Sequence, residues 1–307
     1  RTLTAKTMKQ YPAKPFVKWA GGKGQLLTTL GQALPETFCN IEDAVYIEPF
    51  VGGGAMLFFM LQNFGNIKKA VISDVNTNLI KAYEVIKYTP ERLVGILSKI
   101  QDTYWKIPET DKRKEFYLDI RQKFNQGGLS DIDNTAYFIF LNRTCFNGLY
   151  RVNSKGQFNV PFGKYTNPTI CDERTIYADS LLLQKVEVLY GDFEQTEKFA
   201  IADNTFIYCD PPYRPLTATA NFSAYSVQSF SDADQIRLKK YADRLSLKHC
   251  FLMLSNADCR EWNPEDNFLD ELYREYHINR IQAVRCINAN AAKRGKLPEL
   301  LIRNYQD

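Results

Sequence analysis

Histidine is scarce in this chain, which has two histidines, His249 and His277, among 307 residues. This scarcity argues against a histidine metal site and against acid–base catalysis built on several histidines, although a single catalytic histidine stays open. The seven cysteines are odd in number and none is spaced as CxxC. We therefore expect reduced thiols, no disulfide framework and no metal site.

Long apolar runs are also missing. No run approaches the roughly 20 residues that span a membrane, and the N-terminus carries no signal-peptide core. These absences predict a cytoplasmic protein without a membrane partner. The net charge of +4 is too small to indicate nucleic acid unless the basic residues share one face. An apolar content of 45% is enough for one large core with a subdomain, or for two modest domains.

The most informative stretch is Asp210-Pro211-Pro212-Tyr213, which follows the apolar run 206–209. The run predicts a buried strand, and the two prolines end it because they lack an N–H and fix φ. Open α/β sheets bind ligands at the carboxyl ends of their strands. The carboxylate, the Pro211 carbonyl and the ring of Tyr213 suit a planar base with an exocyclic amino group. The alternative is an ordinary proline turn with Tyr213 in the core. The small polar loop 214–222 is a candidate lid.

Two loops that contain glycines precede predicted helices. The first carries Trp19 and Lys23, and its tryptophan would form a flat apolar wall of a ligand site or simply anchor a turn. The second follows a predicted strand, 44–47, and runs Glu48-Pro49-Phe50-Val51-Gly52-Gly53-Gly54. An acid before the glycines disfavours a pyrophosphate, which needs donors. S-adenosylmethionine fits better, because it has an ammonium and a carboxylate.

Two more predicted strands end in acids. Asp74 follows the strand 70–73, about twenty residues after the glycines, where an acid can hold ribose hydroxyls. Alternatively, Asp74 caps a helix that begins near Asn76. Asp192 follows the strand 186–190, and it could accept from a purine amino group while Phe193 flanks the ring.

Residues 79–185 interrupt the alternation of strands and helices. From 79 to 140 the apolar period is helical, with breaks at Pro90, at Pro108 and at 127–128. Residues 142–152 and 157–160 are predicted strands of a hairpin, joined by a turn at 153–156. The hairpin presents Phe146, Asn147, Arg151 and Lys155, which suit a DNA groove, or else a solvated basic surface.

In their order, these motifs resemble those of Dam-type DNA adenine-N6 methyltransferases. The resemblance extends from about Pro15 to Tyr305, and it rests on 18–23, 48–54, 146–151, 158–163 and 210–213. It implies an α/β fold, a doubly wound Rossmann-like methyltransferase sheet with an inserted helical and β-hairpin DNA-recognition domain. The implied parts are a catalytic domain in two segments, 1–78 and 186–307, and a DNA-recognition domain at 79–185.

The resemblance also implies methylation of adenine N6 in double-stranded DNA, with S-adenosyl-L-methionine as methyl donor, base flipping and direct transfer. GATC is the expected recognition sequence. The implied catalytic residues are Asp210, Pro211, Pro212 and Tyr213. The implied cofactor residues are Trp19, Lys23, Glu48, Pro49, Phe50, Gly52, Gly54, Asp74, Asp192, Phe193 and Asp210. The implied DNA-binding residues are Lys18, Phe146, Asn147, Leu149, Arg151 and Pro161, with Phe146 standing where some members have tyrosine.

Two alternatives stay open at this point. A cytosine-N4 methyltransferase would use the same amino-group chemistry at a similar proline turn. A sequence-specific DNA-binding protein on an inactive methyltransferase fold is disfavoured, because Glu48, Asp74 and Asp210 are all present. We expect a monomer or weak dimer, with a cognate restriction endonuclease as a genetic partner and not as a required subunit.

Overall fold

The computed structural model describes residues 11–21, 23–215, 230–284 and 296–306. Most of the candidate lid, from residue 216 onward, lies outside these ranges. The chain divides into two compact units, and neither is continuous in sequence. The helical unit comprises 1–22, 52–63 and 76–188, and the sheet unit comprises 23–51, 64–75 and 189–307. The three-part division given above remains a prediction.

The strands of the described residues are β1 (Ala44–Glu48), β2 (Ile67–Asp74), β3 (Val186–Tyr190), β4 (Thr205–Cys209), β5 (Phe251–Ala257), β6 (His277–Val284) and β7 (Lys296–Arg303). They form one seven-stranded sheet in the order β3-β2-β1-β4-β5-β7-β6. β1 pairs in parallel with β2 and β4, and β4 pairs in parallel with β5. β7 is antiparallel to both β5 and β6. The order reverses between β1 and β4, so the predicted doubly wound Rossmann-like sheet is confirmed.

The central strands are buried along their whole length. Every residue of β1 and of β4 is buried, as expected for parallel strands that read as continuous apolar runs. Three helices of the sheet unit are α1 (Leu27–Gln32), α8 (Asp232–Leu247) and α9 (Phe268–Leu272). Ser231 and Asp234 form a capping box that starts α8. From there α8 buries Leu238, Tyr241 and Leu245 in the core beneath the sheet.

The helical unit has an aromatic core, in which Tyr104, Tyr117, Phe138 and Phe140 are buried. Pro90 is the first residue of its helix, as predicted for a residue whose missing N–H costs nothing there. The helices are α2 (Ala55–Asn63), α3 (Thr77–Tyr88), α4 (Pro90–Trp105), α5 (Thr110–Gln126), α6 (Asp131–Thr144) and α7 (Glu173–Leu183). Among the helices of the described ranges, none is long and apolar enough to cross a membrane.

The predicted hairpin needs a correction. Neither predicted strand, 142–152 or 157–160, forms. α6 continues to Thr144, a 3-10 turn (Phe146–Gly148) follows, and the rest carries only isolated bridges. The buried Asn142 side chain is bonded inside the unit, and the apolar run before it keeps the helical period. The two arms pair through isolated bridges, Cys145 with Phe162 and Val152 with Phe158. The turn at 153–156 is confirmed by a bond of 2.9 Å from the Asn153 N–H to the Gln157 carbonyl.

Candidate active site

The turn Asp210-Pro211-Pro212-Tyr213 directly follows β4, at the point where the strand order reverses. Two fully buried amides fix its backbone. The Gln235 side chain donates to the Pro212 carbonyl at 3.3 Å, and the Asn256 side chain accepts from the Arg214 N–H at 3.1 Å. Asn256 also donates to Gln235 at 3.1 Å. The turn is therefore held on both sides by bonded side chains from α8 and β5.

Sequence reasoning missed both amides. The available signal was the polar pair Ser255-Asn256 at the end of an otherwise apolar strand. Buried polar groups need partners, and at a strand end the nearest backbone to serve is a loop. Nothing in the periodicity of α8 marks Gln235 as more than one polar position among several.

A charged cluster surrounds Asp210. The Lys23 ammonium lies 3.2 Å from the Asp210 carboxylate and 3.3 Å from that of Glu299 on β7. It also donates to the Tyr213 hydroxyl and lies 4.5 Å from the centre of its ring. The Tyr213 hydroxyl donates to Glu299 at 2.9 Å. Lys23 thus lies with the acid of the proline turn, and its assignment to the cofactor remains a prediction.

Burial controls the acidity of this cluster. It raises the pKa of Asp210 to about 6, with Glu299 acting in the same direction and Lys23 opposing both. Burial also raises the pKa of the Tyr213 hydroxyl well above its ordinary value, and the nearby carboxylates add to that effect. Tyr213 is therefore a neutral donor, while Asp210 keeps its proton to a higher pH than an ordinary aspartic acid does.

The carboxyl end of β1 carries a second acid. Glu48 is 2% exposed, and its carboxylate accepts from the Tyr46 hydroxyl at 2.8 Å. Pro49 after it is buried. The ring of Phe50 packs against that of Phe193 with centroids 5.3 Å apart. The Val51 N–H donates to the Ser73 carbonyl, which ties this loop to the end of β2.

The ends of β2 and β3 are joined to each other. The Gly191 N–H donates to the Asp74 carbonyl at 3.0 Å, and the Ser73 hydroxyl donates to the Gly191 carbonyl at 3.2 Å. The structure thus brings together the strand ends that carry Asp74 and Asp192. The N-cap of α3 is Asn76, whose side chain accepts from the Leu79 N–H.

Asp192 and Phe193 occupy a more constrained position than the sequence indicates. The Asp192 carboxylate accepts from the Glu194 N–H at 3.0 Å and from Arg237 at 2.6 Å. Phe193 is 3% exposed and packs on Phe50 and Tyr241. Their assignment to a purine stays a prediction, in which Arg237 would share the Asp192 carboxylate.

In the helical unit, Trp19 lies on the glycine loop. A Cβ atom at Gly52 would lie 3.0 Å from the Trp19 indole. A Cβ atom at Gly53 would lie 3.0 Å from the Trp19 Cβ. Gly54 has φ of +78°, and a Cβ there would lie 2.4 Å from the Tyr83 hydroxyl. That hydroxyl donates to the Gly52 carbonyl at 2.9 Å. The loop therefore needs glycine for close packing as well as for its backbone conformation.

Lys18 and the 3-10 turn at 146–148 are joined by one buried side chain. The Asn142 amide accepts from the Lys18 N–H and donates to the Lys18 carbonyl, both at 2.8 Å. It donates also to the Gly148 carbonyl at 3.3 Å. The Phe146 N–H donates to the Pro161 carbonyl at 2.8 Å. These contacts bring together four of the predicted DNA-binding residues, Lys18, Phe146, Asn147 and Pro161.

Exposure within this group is uneven. The ring of Phe146 is 41% exposed, unusually high for a phenylalanine, and Lys18 and Pro161 are exposed. Asn147 has φ of 55°, and its N–H donates to the Tyr165 hydroxyl at 3.1 Å. Leu149 is half-buried. The exposure of this ring is what a wedging side chain requires, and the DNA-binding role of this group remains a prediction.

Arg151 lies on the first arm of the hairpin and is exposed. Its Nε donates to the Asn159 side chain at 2.7 Å, and its Nη2 donates to the Asn159 carbonyl at 3.2 Å. These two bonds use one edge of the planar guanidinium. The opposite edge, made by Nη1 and the second Nη2 hydrogen, has the fork geometry that pairs with guanine O6 and N7.

Residues 19–287 match the family model described as D12 class N6 adenine-specific DNA methyltransferase. A type II methyltransferase of Methanocaldococcus jannaschii, M.MjaIII, is 45% identical over 95% of this chain and 99% of its own. Another type II methyltransferase, M1.LlaDCHI of Lactococcus lactis subsp. cremoris, is 39% identical over 95% of each chain. The DNA adenine methylase of Escherichia coli strain K12 is 32% identical over 94% of each.

Proposed function

Since this chain belongs to the D12 class of N6 adenine-specific DNA methyltransferases, we propose that Asp210-Pro211-Pro212-Tyr213 receives the target adenine. The family favours adenine over the cytosine-N4 alternative. One observation carries the proposal. The turn presents a carboxylate, a carbonyl and an aromatic ring at the switch point of the sheet, and its backbone is held by Gln235 and Asn256.

The residues of the turn act on the amino group. The lone pair of adenine N6 is delocalised into the ring, so the nitrogen is a poor nucleophile. The Asp210 carboxylate and the Pro211 carbonyl accept its two hydrogens and favour a tetrahedral nitrogen. Tyr213 stacks on the ring, with its hydroxyl held by Glu299. A stacked base cannot reach such a turn, so flipping is required, at a cost of a few kcal/mol.

S-adenosylmethionine is the proposed donor, and it supplies an electrophilic methyl group when bound. The residues fit its chemistry. Buried Glu48 suits the ammonium. The glycines at 52–54 pack against Trp19 and Tyr83, and their assignment to the methionine part remains a prediction. Asp74 at the end of β2 suits the ribose hydroxyls. The remaining predicted cofactor residues of the sheet unit, Pro49, Phe50, Asp192 and Phe193, would provide a wall of the site. The assignment of Trp19, in the helical unit, to the cofactor remains a prediction.

Nucleoside analysis of the product tests the proposal. The purified chain is incubated with duplex DNA and methyl-labelled S-adenosylmethionine, and the DNA is digested to nucleosides and weighed. We expect the label in N6-methyladenine. Label in N4-methylcytosine would refute the adenine assignment. Cofactor binding without any labelled nucleoside, on DNA of varied sequence, would favour an inactive DNA-binding relative.

We propose that the surface around Arg151 reads GATC. Arginine pairs bidentately with guanine, and the edge of the Arg151 guanidinium made by Nη1 and Nη2 has the required geometry. Lys18 would contact the other outer pair, and Leu149 and Pro161 offer apolar contacts to a thymine methyl group. Phe146 would wedge into the duplex, and Asn147 would contact the same groove. The tie made by Asn142 between Lys18 and the turn at 146–148 supports a single reading surface.

Replacing Arg151 with alanine should lower methylation of GATC by an amount equivalent to about 1–3 kcal/mol. The loss should be much smaller on duplexes altered at the guanine that Arg151 reads, because those sites lack the contact already. Single-turnover rates on GATC and on a set of single-substitution duplexes, at fixed salt, measure both effects.

Lys155→Ala is the comparison variant, since Lys155 lies at the exposed tip of the hairpin turn. A phosphate contact there would weaken all duplexes alike and lower the salt dependence. The same uniform pattern in Arg151→Ala would refute the guanine contact. Wild-type indifference to GATC would refute the recognition sequence itself.

A further inference from the structure

Glu299 is a buried acid beside the turn Asp210-Pro211-Pro212-Tyr213. The proposed methyl transfer does not use Glu299. Its residue is 4% exposed. A buried carboxylate is costly unless it is paired and hydrogen-bonded. Its Oε2 atom has two partners, the Lys23 ammonium at 3.3 Å and the Tyr213 hydroxyl at 2.9 Å. Both partners are themselves neighbours of Asp210.

The register of β7 explains how this acid reaches the turn. Glu299 pairs with Ala257, the last residue of β5. Because β7 runs antiparallel to β5, a residue in its first half lies at the carboxyl ends of the parallel strands. Asp210 lies at the same edge, directly after β4. The antiparallel direction of β7 therefore places Glu299 near Asp210. In a parallel strand, a residue in the first half would lie at the amino ends of the strands instead.

The groups that act on Asp210 come from several elements. Lys23 comes from the loop before α1 and Glu299 from β7, while Tyr213 belongs to the same turn. Tyr208 and Cys209 on β4 interact electrostatically with Asp210. Glu48 on β1 interacts electrostatically with both of them. Lys23 is the one cation of this group within the described residues. A single ammonium therefore faces two carboxylates, Asp210 and Glu299.

We propose that Glu299 is a positioning residue, which holds the Lys23 ammonium beside Asp210 and the Tyr213 ring in its stacking position. The proposal rests on the acceptor function of Asp210 stated above. Glu299 touches no reacting atom. It acts through Lys23 and Tyr213, and it shares with Asp210 the one positive charge that both carboxylates need.

The sign of its effect on Asp210 follows from the charges. Negative Glu299 disfavours a second negative charge nearby, so it raises the pKa of Asp210, and positive Lys23 lowers it. Methyl transfer needs the Asp210 carboxylate, and its rate should fall as the pH drops through the pKa of Asp210. Removing the charge of Glu299 should move this limb to lower pH. Removing that of Lys23 should move it to higher pH.

The test is a titration of the Asp210 carboxyl carbon by ¹³C NMR, assigned with Asp210→Asn, in the full chain. Glu299→Gln keeps the shape and an acceptor for Tyr213 while it removes the charge. We expect the midpoint to fall by roughly one pH unit in Glu299→Gln and to rise by a similar amount in Lys23→Met. Single-turnover methylation against pH should show its acidic limb moving in the same directions.

Asp43→Asn is the matched control. Asp43 is an exposed acid just before β1, at the amino ends of the parallel strands. It forms an ion pair with Lys68 at 3.1 Å. Its substitution should leave the Asp210 midpoint in place. If Glu299→Gln does not fold, Lys23→Met tests the ammonium that Asp210 and Glu299 share, and an unmoved Asp210 midpoint in that variant would overturn the positioning role.

Two outcomes separate this inference from the proposed function. A lower rate in Glu299→Gln with an unmoved Asp210 midpoint would overturn the positioning role and leave Glu299 a structural residue. A moved midpoint in a protein whose Asp210→Asn variant still methylates DNA would support the positioning role and refute the acceptor function. The NMR titration needs no turnover, so the two results are independent.

Discussion

Replacing Asp210 with alanine is expected to slow methyl transfer by about 100- to 1,000-fold. This is the size of effect seen when one preorganised transition-state contact is removed. The carboxylate is needed chiefly as N6 becomes tetrahedral, so DNA binding and cofactor binding should change much less. The fold should survive, because Lys23 keeps the Glu299 carboxylate at 3.3 Å as a partner. Single-turnover methylation with saturating DNA and cofactor measures the loss.

Asp43→Asn is the control for this variant, since it removes an exposed negative charge at the amino ends of the parallel strands, and asparagine tolerates the positive φ of this position. Its rate should equal that of the unmodified chain. Calorimetric affinities for S-adenosylmethionine and for duplex DNA show whether Asp210→Ala still assembles the complex. A near-normal single-turnover rate in Asp210→Ala would refute the role assigned to the carboxylate.

Replacing Asp74 with alanine should weaken cofactor binding by about 1.5–3 kcal/mol, the range for hydrogen bonds to a charged group. The carboxylate is assigned to ribose hydroxyls, so affinity for DNA of arbitrary sequence should stay the same. Isothermal titration with S-adenosylmethionine measures the first quantity, and binding to a duplex without GATC measures the second.

The structure makes this test sharper than the sequence alone allowed. Capping of the following helix was the competing interpretation of Asp74, and the N-cap of α3 is Asn76. Asn76→Ala is therefore the matched variant, which should lower stability by about 1 kcal/mol through loss of the cap. Equal cofactor affinity in Asp74→Ala and in the unmodified chain would remove Asp74 from the ribose site.

Local patterns predicted the frame of the site because its elements are local. Continuous apolar runs gave β1 and β4, and the prolines after Asp210 gave the end of β4. The same reasoning failed at 142–144, where polar residues after an apolar run looked like the start of a strand. There Asn142 is buried and bonded to Lys18, 124 residues earlier, and the helix continues. Periodicity carries no information about a partner so distant.

The side chains that hold the turn could not be predicted for the same reason. Gln235, Asn256 and Glu299 contact the turn from 23, 42 and 86 residues away. Each occupies an ordinary polar position in its own helix or strand. For Asn256 and Glu299, the contact follows from the sheet order, in which β5 lies beside β4 and β7 lies beside β5. The sequence supplied the reactive groups, and the topology supplied the groups that restrain them.

The bond between Lys23 and Glu299 has a consequence for the order of folding. It joins residues 276 positions apart, so it closes nearly the whole chain into one loop, and contacts of such separation carry a large loop-closure entropy cost. Before β7 docks on β5, Lys23 and Tyr213 lack their shared carboxylate. A partly folded chain with its parallel strands assembled therefore does not yet carry the complete charged cluster. Docking of an antiparallel strand near the end of the sequence is the event that completes it.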